Sequence, residues 1–272
     1  MTISRRLALG CASAFAVSGG TLQLSLASAA RHVAKLAGNP ASNGQTGQRF
    51  LEMLIHEDEA RGIEYAAMIW IAAPDTAWFA ASSLTATAYG MNNVSLKKRG
   101  FRLRRVSAFD TRGGVRYAAI WERASGPDWH SRHGMSLDEF RGACAEMAGS
   151  GNRMTHVDAR VGYAAVWEKG DASSQQILTA LAPADFDAQS AALAAQGFRP
   201  LRLSLSGAGG EPRLTGIFEK RNGAPWQALP RMTLADLQKN QAAMSAKGFR
   251  MTDASGRMIA GQPTFSGIWQ KA

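Results

Sequence analysis

Gly100-Phe101-Arg102, Gly197-Phe198-Arg199 and Gly248-Phe249-Arg250 are the same three-residue step, with a degenerate Gly151-Asn152-Arg153 between them. Working outward from each step, a short strand-like run ends in an aromatic residue, at Trp121, Trp167, Phe218 and Trp269, and an equivalent run ends upstream at Trp70. These aromatics are separated by 51, 46, 51 and 51 residues, and a second tryptophan follows eight positions later at Trp78, Trp129 and Trp226. A period of this size identifies an array of supersecondary units, none of which buries its apolar face alone.

Each glycine is followed by a β-rich run (101–109, 198–205), a polar or glycine-rich turn (110–114, 207–211) and a second run (117–122, 214–219), which reads as a hairpin. The 46-residue interval reflects a tighter turn or shorter strands in the third hairpin. Beyond the second tryptophan the pattern becomes helical. Ser136-Leu137-Asp138-Glu139 and Thr233-Leu234-Ala235-Asp236 place a hydroxyl cap before an apolar run, with an acid at the third helical position. Tyr89, Phe140, Phe186 and Leu237 share one helical position, and Leu96, Met147, Leu193 and Met244 lie seven residues later on the same face. Each helix then meets the glycine of the next hairpin, a left-handed C-terminal cap.

The unit is thus hairpin, loop, helix. Hairpins are expected near 50–70, 101–122, 152–168, 198–219 and 249–270, the first aligned by placing Phe50 one period before Phe101. The expected fold is α+β: tandem repeats of about 50 residues, forming a curved or half-barrel-like antiparallel sheet with helices on one face.

The N-terminal residues follow different rules. Ser4-Arg5-Arg6 is a twin-arginine-like start, small and apolar residues follow, and Ala27-Ser28-Ala29 is a small-x-small cleavage site. Residues 1–29 read as an export signal, 30–48 as a flexible segment and 49–272 as the repeat domain, in a protein destined for the periplasm or the cell exterior. Cys11 lies too close to Arg6 for a lipoprotein h-region, and no run reaches the roughly 18 apolar residues of a membrane span. Without Arg5 and Arg6, 29 of the 31 basic residues remain against 21 acidic ones, a net charge of +8 that favours anionic partners. The basic residues are dispersed, and neither a nucleic-acid-binding module nor a cofactor motif is present. Only Cys144 lies beyond the signal, which excludes an internal disulfide framework.

Few residues suggest chemistry. Ser95-Leu96-Lys97-Lys98 has the serine-lysine spacing, but Lys-Thr-Gly and Gly-x-Ser-x-Gly are both missing, and lysines in a last helical turn answer the helix dipole. Asp128, His130, Arg132 and His133 cluster ahead of the second helix, where His130 and His133 with Asp128 or Glu139 offer acid-base or metal-binding groups. His156 and Asp158 alternate along one strand face, as on a wet surface. Arg102, Arg153, Arg199 and Arg250 stand across their hairpins from Glu122, Glu168, Glu219 and Gln270, a cross-strand ladder. Tyr117, Trp121, Trp129, Trp167, Trp226 and Trp269 are the candidate ligand-binding aromatics: if the intervening isoleucines pack under the helices, the rings form a row on the opposite face. The competing reading is that they fill the interior.

The Gly-Phe-Arg step, Arg116-Tyr-Ala-Ala-Ile-Trp-Glu122 and Trp129-His-Ser-Arg-His-Gly134 together resemble the bacterial tandem repeat found beside the β-lactamase-like catalytic domain of polyglycine hydrolases and related secreted serine hydrolases. The resemblance implies a curved, half-barrel-like accessory domain in an extracytoplasmic setting, with the serine chemistry in a separate domain. The expected function is therefore that of an exported, non-catalytic repeat protein binding an extended peptide or glycan, or a protein partner that carries a hydrolase domain. The alternative is an accessory or divergent member of a secreted serine hydrolase (peptidase/β-lactamase-like) system.

Overall fold

A strand, a 13-residue helix and a hairpin recur four times along the chain. The computed structural model describes the backbone of residues 24–29, 36–38, 48–58, 63–72 and 77–271 apart from 208–210 and 261, with side chains from residue 77 onward. The export signal expected at 1–29 therefore lies largely outside the described residues.

The elements are β1 (Leu24–Ala29), β2 (Leu36–Gly38), β3 (Gln48–Asp58), β4 (Ile63–Ala72), β5 (Trp78–Leu84), α1 (Ala86–Lys98), β6 (Phe101–Phe109) and β7 (Arg116–Arg123). They continue with β8 (Trp129–Met135), α2 (Leu137–Gly149), β9 (Asn152–Asp158), β10 (Tyr163–Lys169), β11 (Gln175–Leu181), α3 (Pro183–Ala195), β12 (Phe198–Ser206) and β13 (Arg213–Lys220). The last unit is β14 (Trp226–Met232), α4 (Leu234–Ala246), β15 (Phe249–Ile259) and β16 (Gln262–Lys271).

The repeat is α+β with antiparallel sheets, and two details depart from the sequence reading. The stretch after the second tryptophan, expected as a loop, is a seven-residue leading strand that pairs antiparallel with the second strand of the hairpin to come. The unit is consequently strand, helix, hairpin. The sheet is also divided, in the orders β5-β7-β6, β8-β10-β9, β11-β13-β12 and β14-β16-β15. β1-β4-β3 repeats this order at the N-terminus, and β2, within the segment expected to be flexible, adds to the outer edge of β5. Phe50 faces Trp70 just as Leu103 faces Trp121, so the first hairpin aligns Phe50 with Leu103 and not with Phe101.

Local chemistry sets the helix limits. Ser136 and Thr233 close reciprocal capping boxes with Glu139 and Asp236, Thr85 caps α1 alone, and α3 substitutes Pro183 at its start for a side-chain cap. Gly100, Gly151, Gly197 and Gly248 follow the helices at φ between 68° and 84°, a region that glycine enters without a steric penalty. Tyr89, Phe140, Phe186 and Leu237 are buried against the sheets, as their spacing requires.

The units meet along their first hairpin strands. In each sheet that strand is an edge, so half of its N–H and C=O groups lack a strand partner. The next unit's side chains supply one. His156 Nε2 lies 3.2 Å from the Val106 nitrogen and 2.8 Å from its oxygen, and Asp158 accepts from the Ala108 N–H at 2.7 Å. One unit on, Arg202 donates to the Val157 carbonyl at 3.1 Å, and Ser204 accepts from the Ala159 N–H at 2.9 Å. Asp253 accepts from the Leu203 N–H at 3.1 Å. The repeated offset means that β6, β9, β12 and β15 run parallel to one another, and β3 contacts both β6 and β15.

The charges of this hub are mutually compensated. Arg202, fully buried, reaches Asp253 at 2.8 Å, and Arg105 reaches the same carboxylate at 3.1 Å across the array. Asp158 holds Arg160 at 2.7 Å, whose guanidinium also faces the Gly256 carbonyl at 3.4 Å. Burial pushes the Asp253 carboxyl up from its ordinary range, and Arg202 and Arg105 oppose the shift.

Asp253→Ala leaves both arginines without that carboxylate and exposes the Leu203 N–H. A loss of about 3–5 kcal/mol is expected in denaturant unfolding, and a loss below about 1 kcal/mol, the level of an exposed pair, contradicts the hub as described.

Candidate functional site

The histidine segment is β8, not a loop, and it packs against the preceding unit. His133 stands edge-on to Tyr89 of α1 and Tyr117 of β7, with centroids 4.8 and 5.0 Å away. Burial lowers the His133 imidazole below its ordinary range. Asn93 of α1 donates to Ser131 at 3.1 Å, while Lys97 donates to the Trp129 carbonyl at 2.7 Å and pairs with Asp128 at 2.6 Å. The Lys97 hydrogen bond holds the exposed Asp128 carboxyl below its usual range. His130 sits 3.7 Å from Asp128 at the surface, Arg132 is bound by Glu146, and Glu139 serves the helix cap. The candidates therefore do not converge. Among the described residues no group of three or more His, Cys, Asp and Glu is placed to hold a metal. Burial pushes the Cys144 thiol up to about 11, which keeps it a protonated, half-buried apolar group.

Gly134 has a backbone role. Ser83, Gly134, Ala180 and Arg231 occupy the same position in their leading strands, all with positive φ (53°, 66°, 53° and 58°), where the pairing register shifts. The segment 129–134, one of the three behind the resemblance, thus ends in a bulged strand, with glycine in the one unit where it avoids left-handed strain.

Ser95 is exposed in the last turn of α1, and Lys97 beside it turns away to Asp128 and Trp129. Among the described residues no histidine hydrogen-bonds to Ser95.

The aromatic row lies on the covered side. Trp121, Trp167 and Trp269 are at most 1 % exposed, Tyr117 and Trp129 are buried, and Trp226 is half-buried. Trp121 donates its indole N–H to Asn93 of α1 at 2.8 Å, and Trp269 donates to Gln241 of α4 at 2.7 Å, so these two rings face the helices, whereas Trp129 and Trp226, paired with Glu168 and Gln270, lie on the other face of their sheets. The intervening Ile120, Val166, Ile217 and Ile268 stand opposite Arg105, His156, Arg202 and Asp253 and face the hub. The faces are the reverse of those an open platform requires, because large rings fill the deep space beneath the helices. A Cβ added to Gly267 would stand 2.6 Å from Trp269 Cη2, which explains the small residue between the paired aromatics.

The arginine-glutamate ladder also differs in its partners. Arg153 pairs with Glu168 in its own hairpin at 2.7 Å and with Glu219 of the next unit at 2.8 Å, while Arg102 reaches past Glu122 to Glu168 at 2.8 Å. Glu122 binds Arg104 instead, at 2.9 Å. The ladder therefore ties unit to unit. Where the next glutamate is replaced by Gln270, Arg199 turns to the Asn222 carbonyl at 2.6 Å. Arg102 and the three glutamates are buried, so their pairs are not the solvent-screened contacts expected on a rim.

Sequence reasoning missed the hub. His156 and Asp158 are fully buried, not on a wet face, and Arg105, Arg202 and Asp253 share the position of His156, just past a bulge. The available signal was a polar residue in every unit at that position, two beyond the apolar residue opposite the strand-ending aromatic.

A family model described as polyglycine hydrolase-like, structural repeat matches the chain four times, over residues 75–124, 126–170, 179–221 and 223–272. Each match contains one helix and the hairpin after it. No curated protein matches the chain.

Two outcomes follow from these environments. Trp121→Ala is expected to cost about 3–5 kcal/mol in thermal or chemical unfolding, whereas a surface platform residue would leave stability nearly unchanged. Burial, then the charges of Arg202 and Arg105, hold the His156 imidazole well below its usual range, so it is neutral in the fold. The unfolded chain takes up this proton first, near pH 6.5. The stabilising share of neutral His156 is complete above that pH and is lost as pH falls below it, by up to about 1.4 kcal/mol per pH unit. His156→Gln, which can still meet the Val106 N–H and carbonyl, is expected to flatten that part of the stability-pH profile; an unchanged slope contradicts the assignment.

Proposed function

The chain belongs to the polyglycine hydrolase-like structural repeat family, and from that premise we propose that it is an exported, non-catalytic repeat-domain protein that binds an extended peptide or glycan, or a protein partner, in the periplasm or outside the cell. The observation that carries this reading is the parallel alignment of the units, fixed by the repeated bonds from His156 to Val106 and from Arg202 to Val157. Equivalent surface positions then recur at the same end of every unit. A periodic surface suits a periodic ligand, as in other repeat arrays.

The twin-arginine-like start supports export. No helix among the described residues is long and apolar enough to cross a membrane. The family description, with its reference to a hydrolase, supports a second reading: an accessory or divergent member of a secreted serine hydrolase (peptidase/β-lactamase-like) system.

Profiling the folded chain with a fluorophosphonate probe, in parallel with glycan and peptide arrays, separates the binding module from a divergent serine hydrolase. Retention on an extended ligand without labelling is the expected outcome. Labelling that disappears in Ser95→Ala would overturn the non-catalytic reading.

A further inference from the structure

We propose that the end of the array where the hairpins begin binds a linear acidic polysaccharide; this rests on the polymer-binding function above and specifies its ligand. The last residue of each second hairpin strand is basic, at Arg123, Lys169, Lys220 and Lys271, each standing opposite the first residue of its hairpin. In three units that first residue is a phenylalanine lying under the cation: Arg123 is 5.8 Å from the Phe101 ring, Lys220 is 6.0 Å from Phe198 and Lys271 is 5.9 Å from Phe249. In the remaining unit Asn152 replaces phenylalanine, and Lys169 is held by the Ser150 carbonyl at 2.8 Å. The cation is kept at one place although its support differs.

The helices deliver further positive charge to this end. Arg99, after α1, lies 5.6 Å from the Phe101 ring, and Lys247 follows α4. Arg99, Arg123, Lys220, Lys247 and Lys271 are all exposed, and among the described residues none has a carboxylate within ion-pair distance. Glu122, Glu168 and Glu219 are buried and engaged by Arg104, Arg102, Arg153 and Arg221, and of the acids in the loops that follow these strands Asp128 is paired with Lys97 while Asp171 is exposed and accepts from the Ser173 N–H. The end therefore carries an excess of positive charge, distributed unit by unit.

The distribution selects the ligand class. Cations that recur one to a unit match charges spaced along a chain, whereas a compact anion requires convergent donors. Single-stranded nucleic acid additionally requires open aromatic faces for base stacking, but Phe101 and Phe198 are only 9 % exposed beneath their cations. A polymer bearing carboxylates or sulfates on sugar rings needs only the field and the spacing.

Binding of polygalacturonate to the full chain, followed by calorimetry or biolayer interferometry, tests the proposal against neutral dextran, single-stranded DNA and phosphatidylglycerol vesicles. Polygalacturonate is expected to bind best, to weaken by about tenfold or more as salt rises from about 0.05 to 0.5 M, and to lose about tenfold in affinity in the Arg123→Gln/Lys220→Gln/Lys271→Gln variant with an unchanged melting midpoint. Equal affinity of that variant, no binding of polygalacturonate, or tighter binding of DNA or vesicles overturns the proposal. If a neutral glycan or peptide is retained equally by both proteins, polymer binding stands and only its acidic specificity falls. If no extended polymer is retained, both fall.

Discussion

The hydrogen bonds between buried polar side chains and the open edge of the neighbouring unit's first hairpin strand govern this architecture. Each sheet is small and ends at the hub in an unpaired strand, a surface that elsewhere invites aggregation. Another backbone strand would solve this by merging the sheets into one. Here His156, Asp158, Arg202, Ser204 and Asp253 occupy the unpaired groups instead, so adjacent sheets remain separate but locked in parallel. Because the charges are desolvated, they specify geometry more than they add stability: an Arg202 displaced from Asp253 and the Val157 carbonyl has no water to replace them.

The other features elaborate this arrangement. The arginine-glutamate chain from Arg102 through Glu168 and Arg153 to Glu219 repeats the unit-to-unit tie at the end where the hairpins begin. The helices cover the opposite sheet face, where indole N–H groups find Asn93 and Gln241 and the rings fill the space beneath. Each leading strand joins the second hairpin strand of the preceding unit to the helix of its own, and its left-handed penultimate residue turns the chain toward that helix. Almost every recurrent residue thereby has a packing or hydrogen-bonding task, and the candidates for chemistry are drawn into the same tasks: His133 between Tyr89 and Tyr117, Glu139 in a capping box.

What the sequence disclosed and what it concealed divide along physical lines. Helix limits were legible because caps and glycine stops are local: Ser136 with Glu139, Thr233 with Asp236, and the glycines after each helix act within a few residues. Hairpins were legible from apolar runs around polar turns. The leading strands were not, since Trp129-His-Ser-Arg-His-Gly-Met lacks alternation and its pairing with β10 spans a whole helix and strand. The hub was hidden for a related reason. A bulge shifts the period by one just before Arg105, His156, Arg202 and Asp253, so strict alternation assigns them to the wrong face, and polarity then reads as exposure. The aromatic row was only partly legible: Trp121 and Trp269 face the helices, whereas Trp129 and Trp226, paired with Glu168 and Gln270, lie on the other sheet face, and which face the helices cover depends on tertiary packing.

Functional interpretation depends on the same lock. Parallel units present the same end to solvent, and a cation at the close of every second hairpin strand is a surface property only if the units hold that alignment. Native-state hydrogen exchange at the Ala108, Ala159 and Leu203 amides examines the lock directly. These amides lie on sheet edges, yet the account predicts protection approaching that of global unfolding, because side chains of the adjacent unit occupy them. Exchange as fast as that of a frayed edge would mean that the hub bonds are open in solution and would contradict the architecture derived from them.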